Sequence, residues 1–337
     1  MSKKNIYVLG GDPFNMRLMK QISGAETMTF HQLLTPEEIV HTRNFDMPSL
    51  RQKALNQVRQ SSHPPDALIG YWDFPSNTLL PILQHELGLR GPDREAALRC
   101  EHKYFSRVAQ AAAGLEHVPR FAVCNPFSDE AVREPPLPYP FWVKPVRAHS
   151  SMLGYRIDNA EDWTHAIDNI RRKIGFLAEP FNDLLEMADA PDELKAIDGF
   201  HVLAEEIVSA DHQCTVEGFV LNGHIGFIGV IDSLREGRFG SSFSAYQCPS
   251  ALSDAVQQRL FTESRRFLQQ VGYDNATFNI EYYYDEPSDV IRILEVNTRI
   301  SKSHSPLFAM VDGSPNFQAM VDVALGRTPQ FPKQKGK

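Results

Sequence analysis

The stretch FNIEYYYDEPSDVIRILEVN, residues 278–297, constrains the chain more than any other. Two runs rich in aromatic and β-branched residues flank a short polar turn, which is the pattern of an antiparallel hairpin. Side chains alternate along a strand, so Ile293, Glu295 and Asn297 are expected on one face and Leu294 and Val296 on the other. A hairpin centred near Ser288 puts Glu281 opposite Glu295, since both are equally far from it. Two facing carboxylates repel each other, and a buried charge without a partner is costly. One reading places a divalent metal between Glu281 and Glu295, with Asn297 as a further oxygen ligand; carboxylate, amide and phosphate oxygens suit Mg²⁺ better than a soft metal. The other reading leaves Glu281 in solvent and pairs Glu295 with Arg299.

A second cluster lies in PYPFWVKPVRAHSSMLGYRI, residues 138–157. Lys144 sits in a strand beside Phe141, Trp142 and Val143, with SMLGYRI as its hairpin partner. An ammonium in such surroundings calls for an anion, and phosphate is the natural candidate. Arg147, His149, Ser150, Ser151 and Gly154 supply a donor-rich loop after the strand. The plainer alternative is a lysine that snorkels to water.

Around these clusters the chain reads as α/β. Residues 5–9 form a short buried strand, Gly10 and Gly11 a turn, and a helix follows with Met16, Leu18, Met19 and Ile22 on its apolar side. A second strand at 67–73 leads into a helix at 77–87. This is the opening of a doubly wound α/β domain, although a full GxGxxG is absent. A long helix then carries Lys103 and runs to Ala113. Residues 161–198 are mostly helical and polar, and from His201 onward strands return: HVLAEEIV, CTVEGFVLNG and HIGFIGVID, with a helix at 252–271 before the hairpin.

Composition narrows the function classes. With 42% hydrophobic and 23% charged residues the chain reads as a soluble globular protein, and a net charge of −8 argues against nucleic acid as a partner. The four cysteines are widely spaced with no CxxC pair, so neither a zinc knuckle nor a disulfide framework is expected. No apolar run approaches the ~18 residues of a membrane span, and the apolar stretch at the N-terminus is too short for a signal peptide. The expectation is a cytoplasmic protein without a membrane partner.

Taken in order, these pieces resemble the ATP-grasp superfamily of ligases across most of the chain: the N-terminal α/β segment, Lys103 within RCEHKYFSRVAQAAAGL, Lys144 in WVKPV, the acidic hinge LAEEIV, the strand TVEGFV, the link SAYQCPSALSD, and FNIE with LEVNTRIS. The resemblance implies an N-terminal doubly wound α/β (pre-ATP-grasp) domain over 1–97 and a two-lobed α+β ATP-grasp domain over 98–327, with a small lobe at about 120–205, a central lobe at about 206–327, and a flexible tail at 328–337. It further implies that Lys103, Lys144, Ser150 and Ser151 contact ATP phosphates, that Glu205, Glu206 and the backbone of Ile207 and Val208 line the adenine, and that Gln213 accepts from the ribose. Glu281, Glu295 and Asn297 would hold two Mg²⁺, with Mn²⁺ as a substitute, and Arg299 would be catalytic, stabilising the substrate carboxylate and its acyl phosphate.

The departures bear on the reaction. The loop after Lys144 keeps only Gly154 where many members are glycine-rich, and Gln213 stands where many have a ribose-binding glutamate. Biotin carboxylases continue the arginine motif with a glutamate base, whereas Ser303 stands there in this chain, and their long carboxyl-terminal domain has no counterpart. The expected activity is therefore an ADP-forming ligase that activates a carboxylate as an acyl phosphate and joins it to an amine, both small molecules. A biotin- or bicarbonate-type carboxylase, or another ATP-grasp enzyme that forms acyl phosphates, is the alternative. His304 and Asp232 are candidate bases for the amine, Asp73 a candidate substrate wall after a strand, and the reading leaves room for a homodimer.

Overall fold

The computed structural model describes residues 3–336 except 43, 130–132, 149–151, 209 and 237–241. Ser150 and Ser151, with His149, fall outside the described residues. Three sheets with helices between them make up a mixed α/β architecture. The first sheet is parallel, β2-β1-β3, from β1 (Lys4–Leu9), β2 (Met28–Leu33) and β3 (Ala67–Gly70). The second is antiparallel, β4-β7-β5-β6, from β4 (Phe121–Cys124), β5 (Phe141–Pro145), β6 (Tyr155–Ile157) and β7 (Val202–Glu206). The third, also antiparallel, has the order β10-β9-β8-β11-β12, from β8 (His212–Leu221), β9 (His224–Glu236), β10 (Ser242–Gln247), β11 (Ala276–Asp285) and β12 (Val290–Asn297).

Several expectations change in detail. β2 was not anticipated; its sequence MTFHQL is half polar and carries a weak strand signal. The single long helix around Lys103 is two helices, Arg94–Glu101 and Lys103–Ala112, broken at His102, whose backbone is extended. The break frees the Lys103 N–H to donate to Val146 O at 2.9 Å, which ties the start of the second helix to the exit of β5.

The cores interlock the ends of the chain. The helix Phe317–Ala324 places Phe317, Met320, Val321 and Ala324 against Ile6, Val8 and Ile69 of the first sheet. The helix Gly175–Met187 places Leu177, Phe181, Leu184 and Leu185 in a cluster with Leu55, Leu79 and Leu83. The last residues, expected as a flexible tail, are docked: Phe331 meets the Phe308 ring at 5.7 Å, Lys333 Nζ donates to Ile228 O, and Gln334 N donates to Asp312 Oδ1 at 2.9 Å. The Phe308 ring, the Ile228 carbonyl and the Asp312 carboxylate give the tail a place to bind.

The hairpin holds the most consequential local feature. Near its turn Asp285 pairs with Val290, and Tyr282 with Ile293. An uninterrupted register would bring Glu281 opposite Leu294. A bulge absorbs Leu294 and brings Glu295 opposite Glu281 instead. It also reverses the alternation, so Ile291, Ile293 and Val296 all join the core under the sheet. Ile293 is thus on the opposite side from Glu295, contrary to the simple alternation expected from sequence.

Candidate active site

The site is built on the faces of the second and third sheets that look toward each other. Between them lies a cavity of about 660 Å³, and Lys103, Lys144, Glu205, Glu206, Ile207, Val208, Gln213, Glu281, Glu295, Asn297 and Arg299 all line it. Asp73, from the loop after β3, lines it too. Residues up to 226 positions apart are thereby brought together.

At the hairpin, Glu281 and Glu295 face each other as expected. Burial, and next to it the charge of Glu295, push the Glu281 carboxyl up from its usual range. Burial acts on Glu295 in the same direction, but the charge and hydrogen bond of Lys103 outweigh it and hold Glu295 low. The Lys103–Glu295 ion pair replaces the Glu295–Arg299 pair that the sequence left open as an alternative. Arg299 instead donates to Asp73 Oδ2 at 2.9 Å, and its Nη2 lies 3.4 Å from Asn297 Oδ1. Burial disfavours the Arg299 charge, yet Asp73 raises its pKa above the ordinary value.

On the opposite wall Lys144 pairs with Glu205 Oε1, so the anion beside this strand lysine is a carboxylate of the chain itself. Glu205 Oε2 accepts from Arg107 Nε at 3.0 Å. Burial alone would raise the Glu205 pKa, but the charges of Lys144 and Arg107, with their hydrogen bonds, bring it down to about 2. Burial lowers the Lys144 pKa, Glu205 opposing it. Glu206 is exposed and takes the backbone N–H of Arg120 at 3.3 Å. Back on the third sheet Gln213 links neighbouring strands, donating to Glu281 Oε2 of β11 at 3.2 Å and accepting from Arg235 Nε of β9 at 2.5 Å.

Some expectations do not survive. Arg147 was expected among the loop donors, but it is 1% exposed and turned inward. It lies 2.7 Å from Glu101 Oε2, donates to Asn77 Oδ1 at 3.1 Å, and stacks over Phe74 with its guanidinium carbon 4.9 Å from the ring centre. Glu101 in turn accepts from the Thr298 N–H and hydroxyl, both at 2.7 Å, which holds the residue before Arg299. The two candidate bases are also engaged elsewhere. His304 is 2% exposed and bonds Glu217 through Nδ1 at 2.8 Å. Asp232 accepts from Ser250 Oγ at 2.5 Å and Ala251 N at 2.7 Å, holding the link to the helix Asp254–Val271. Neither lines the cavity.

Sequence reasoning missed Arg107 and Arg235. Arg107 is 2% exposed and also donates to Ile293 O at 2.6 Å and Leu294 O at 3.2 Å, the carbonyls that the bulge turns outward. Its signal was a lone arginine on an otherwise amphipathic helix, which reads as a solvated charge. Among the described residues no group of three or more His, Cys, Asp or Glu side chains is arranged to hold a metal. The two carboxylates and the Asn297 oxygen offer hard donors, which fit Mg²⁺ if phosphate oxygens and water complete its shell.

A family model described as "Carbamoyl-phosphate synthase L chain, ATP binding domain" matches residues 227–330. No curated protein matches the sequence. Among solved structures, that of L-amino acid ligase from Bacillus licheniformis superposes with a TM-score of 0.71 at 16% identity, covering 96% of this chain and 75% of that one. Biotin carboxylase from Campylobacter jejuni, in a β,γ-ATP complex, gives 0.69 at 14% identity, covering 97% and 73%. D-alanyl-alanine synthetase A from Vibrio cholerae gives 0.62 at 15% identity, covering 96% and 94%. The order of the strands, the opposed sheets around one cavity and these superpositions agree: the chain has the ATP-grasp fold.

Proposed function

We propose that the protein is an ATP-dependent, ADP-forming ligase that activates a carboxylate as an acyl phosphate and joins it to an amine. The observation that carries this reading is the convergence of Lys103, Lys144, Glu281, Glu295, Asn297 and Arg299 on one cavity whose size, about 660 Å³, suits a nucleotide with a small substrate. The likeness to an L-amino acid ligase and a D-alanyl-alanine synthetase supports the carboxylate and amine classes. In this reading 1–97 forms the N-terminal domain and 98–327 the ATP-grasp domain, with the shared core at Phe317–Ala324 tying them together. The protein would act in the cytoplasm; its cysteines are all free, and among the described residues no helix is long and apolar enough to cross a membrane.

Glu205, Glu206, Ile207 and Val208 form the adenine wall, Gln213 faces the ribose, and Lys144 and Lys103 neutralise the phosphates by exchanging their carboxylate partners for phosphate oxygens. Glu281, Glu295 and Asn297 would hold two Mg²⁺, which when bound would offset phosphate charge. Arg299, oriented by Asp73, holds the carboxylate for transfer of the terminal phosphoryl group, and the amine then displaces phosphate. Positioning and charge neutralisation supply most of the acceleration in this chemistry.

A phosphate-release screen of amino acids and small carboxylates, singly and in pairs, with ATP and Mg²⁺ tests the reading. Release is expected to need a carboxylate and to rise when an amine is added; full turnover with bicarbonate alone would replace the ligase by the carboxylase. The carboxylase stays in view because the biotin carboxylase superposes almost as well as the amino acid ligase. Against it, the residue in the base position, Ser303, has no basic side chain.

A further inference from the structure

Three side chains stand abreast on adjacent strands. Glu217 of β8 is opposite Asn279 of β11, and Asn279 is opposite Asn297 of β12. They are 0%, 2% and 2% exposed, so each polar atom must find its partner within the protein. The Glu217 carboxylate can only accept, and Asn279 accordingly turns its amide nitrogen to it, with Nδ2 2.9 Å from Oε1. That leaves Asn279 Oδ1 on the other side, where it accepts from Asn297 Nδ2 at 3.2 Å. The end of Asn297 left for Arg299 and the cavity is therefore its oxygen.

An asparagine can present either end of its amide, and only the oxygen binds a cation. We propose that Glu217 is a positioning residue which, through Asn279, fixes the direction of the Asn297 amide so that an oxygen faces a divalent cation in the cavity. Glu217 does not line the cavity and acts at two removes. Its Oε1 also accepts from Ser301 N at 2.9 Å and lies 2.8 Å from His304 Nδ1, so the same atom pins the segment that follows Arg299. The proposal rests on the reading of Asn297 as a metal-holding residue.

The test measures Mn²⁺ affinity by electron paramagnetic resonance on the full chain with a non-hydrolysable ATP analogue, alongside the melting temperature. Asn279→Leu keeps the volume but cannot accept from Asn297, and Mn²⁺ affinity should fall about tenfold or more, the cost usual for losing an outer-shell partner. Asn279→Asp alone sets a carboxylate against Glu217 and should weaken Mn²⁺ as well. Adding Glu217→Gln gives Asp at 279 a donor on one side while it still accepts from Asn297 on the other, at the cost of the acceptor that Ser301 N–H uses, so the double variant should regain part of the lost Mn²⁺ affinity. Parental Mn²⁺ affinity in Asn279→Leu, or a double variant no better than Asn279→Asp, overturns the relay; if Asn279→Leu does not fold, the double variant decides. Asn297→Leu separates the two claims: if it binds Mn²⁺ as the parent does, the metal reading itself fails, and if it alone is weakened, only the relay fails.

Discussion

The two acidic centres that face each other across the cavity have opposite balances of charge. On one wall a single carboxylate, Glu205, is shared by two cations, Lys144 and Arg107. At the hairpin two carboxylates, Glu281 and Glu295, have one direct lysine partner, Lys103. The first centre is complete by itself, and its carboxyl is held down at about 2. The second is short of positive charge, and the strain appears at Glu281, whose carboxyl is pushed up by burial and by its neighbour. Similar residues in similar surroundings thus serve different ends: the first can hold the sheet wall together, while the second is suited to receive cations.

The largest expected effect of breaking this contrast is on turnover. Glu295→Gln keeps the shape but weakens the site for cations, and phosphate release with ATP, Mg²⁺ and the active substrate pair should fall by roughly a hundredfold or more. Near-parental release would remove Glu295 from the cation site. A middle-sized effect should appear in stability without metal. Glu205→Gln leaves two buried cations short of their carboxylate and should cost about 3 kcal/mol in urea unfolding, whereas Glu281→Gln relieves repulsion and should be neutral or stabilising. Equal losses in the two variants would erase the distinction between the centres.

The smallest effect lies in the pH dependence of the metal-free protein, where the centres should pull in opposite directions. The Glu205 pKa is depressed from an ordinary 4.5 to about 2, so its stabilisation is full above 4.5 and is lost as pH falls toward 2. Glu295, held low by Lys103, loses stabilisation on the same acid side. The Glu281 pKa is raised, so the folded state takes up a proton before the unfolded chain does and gains stability as pH falls toward 4.5. On lowering the pH the melting temperature should therefore rise slightly toward pH 4.5 and then fall, and Glu281→Gln should flatten the upper part while leaving the acid loss. A variant profile that matches the parent above pH 4.5 would sink the Glu281 assignment.

Much of the cavity lining was legible because it is carried by short runs. The facing of Glu281 and Glu295 follows from the hairpin pattern, but the bulge at Leu294 that makes it true leaves no mark in composition, and so Ile293 was placed on the wrong side. Lys144 declared itself by its apolar strand; its partner Glu205 lies 61 positions away, and nothing local announces it. Arg107 was hidden for the same reason, its carboxylate partner being 98 positions off and two of its other acceptors being backbone carbonyls, which every residue has. Arg147 and His304 misled in the opposite sense: read as a loop donor and a candidate base, they looked available, and only the packing shows that Glu101 and Glu217 have claimed them. Local propensity fixed most helices, while β2 needed its parallel pairing with β1 to become a strand.

The helix Phe317–Ala324, which fills the core beneath the first sheet, has a consequence for how the protein is made. A ribosome adding about 5–20 residues per second has produced β1, β2 and β3 many seconds before Phe317 emerges. During that interval Ile6, Val8 and Ile69 lack the side chains that later cover them, and the Ser23 N–H lacks the Gln318 oxygen that it finds at 2.7 Å. These strands therefore wait on a helix about 250 residues further along, and a chain that stalls before residue 317 should leave that apolar sheet face open to chaperones.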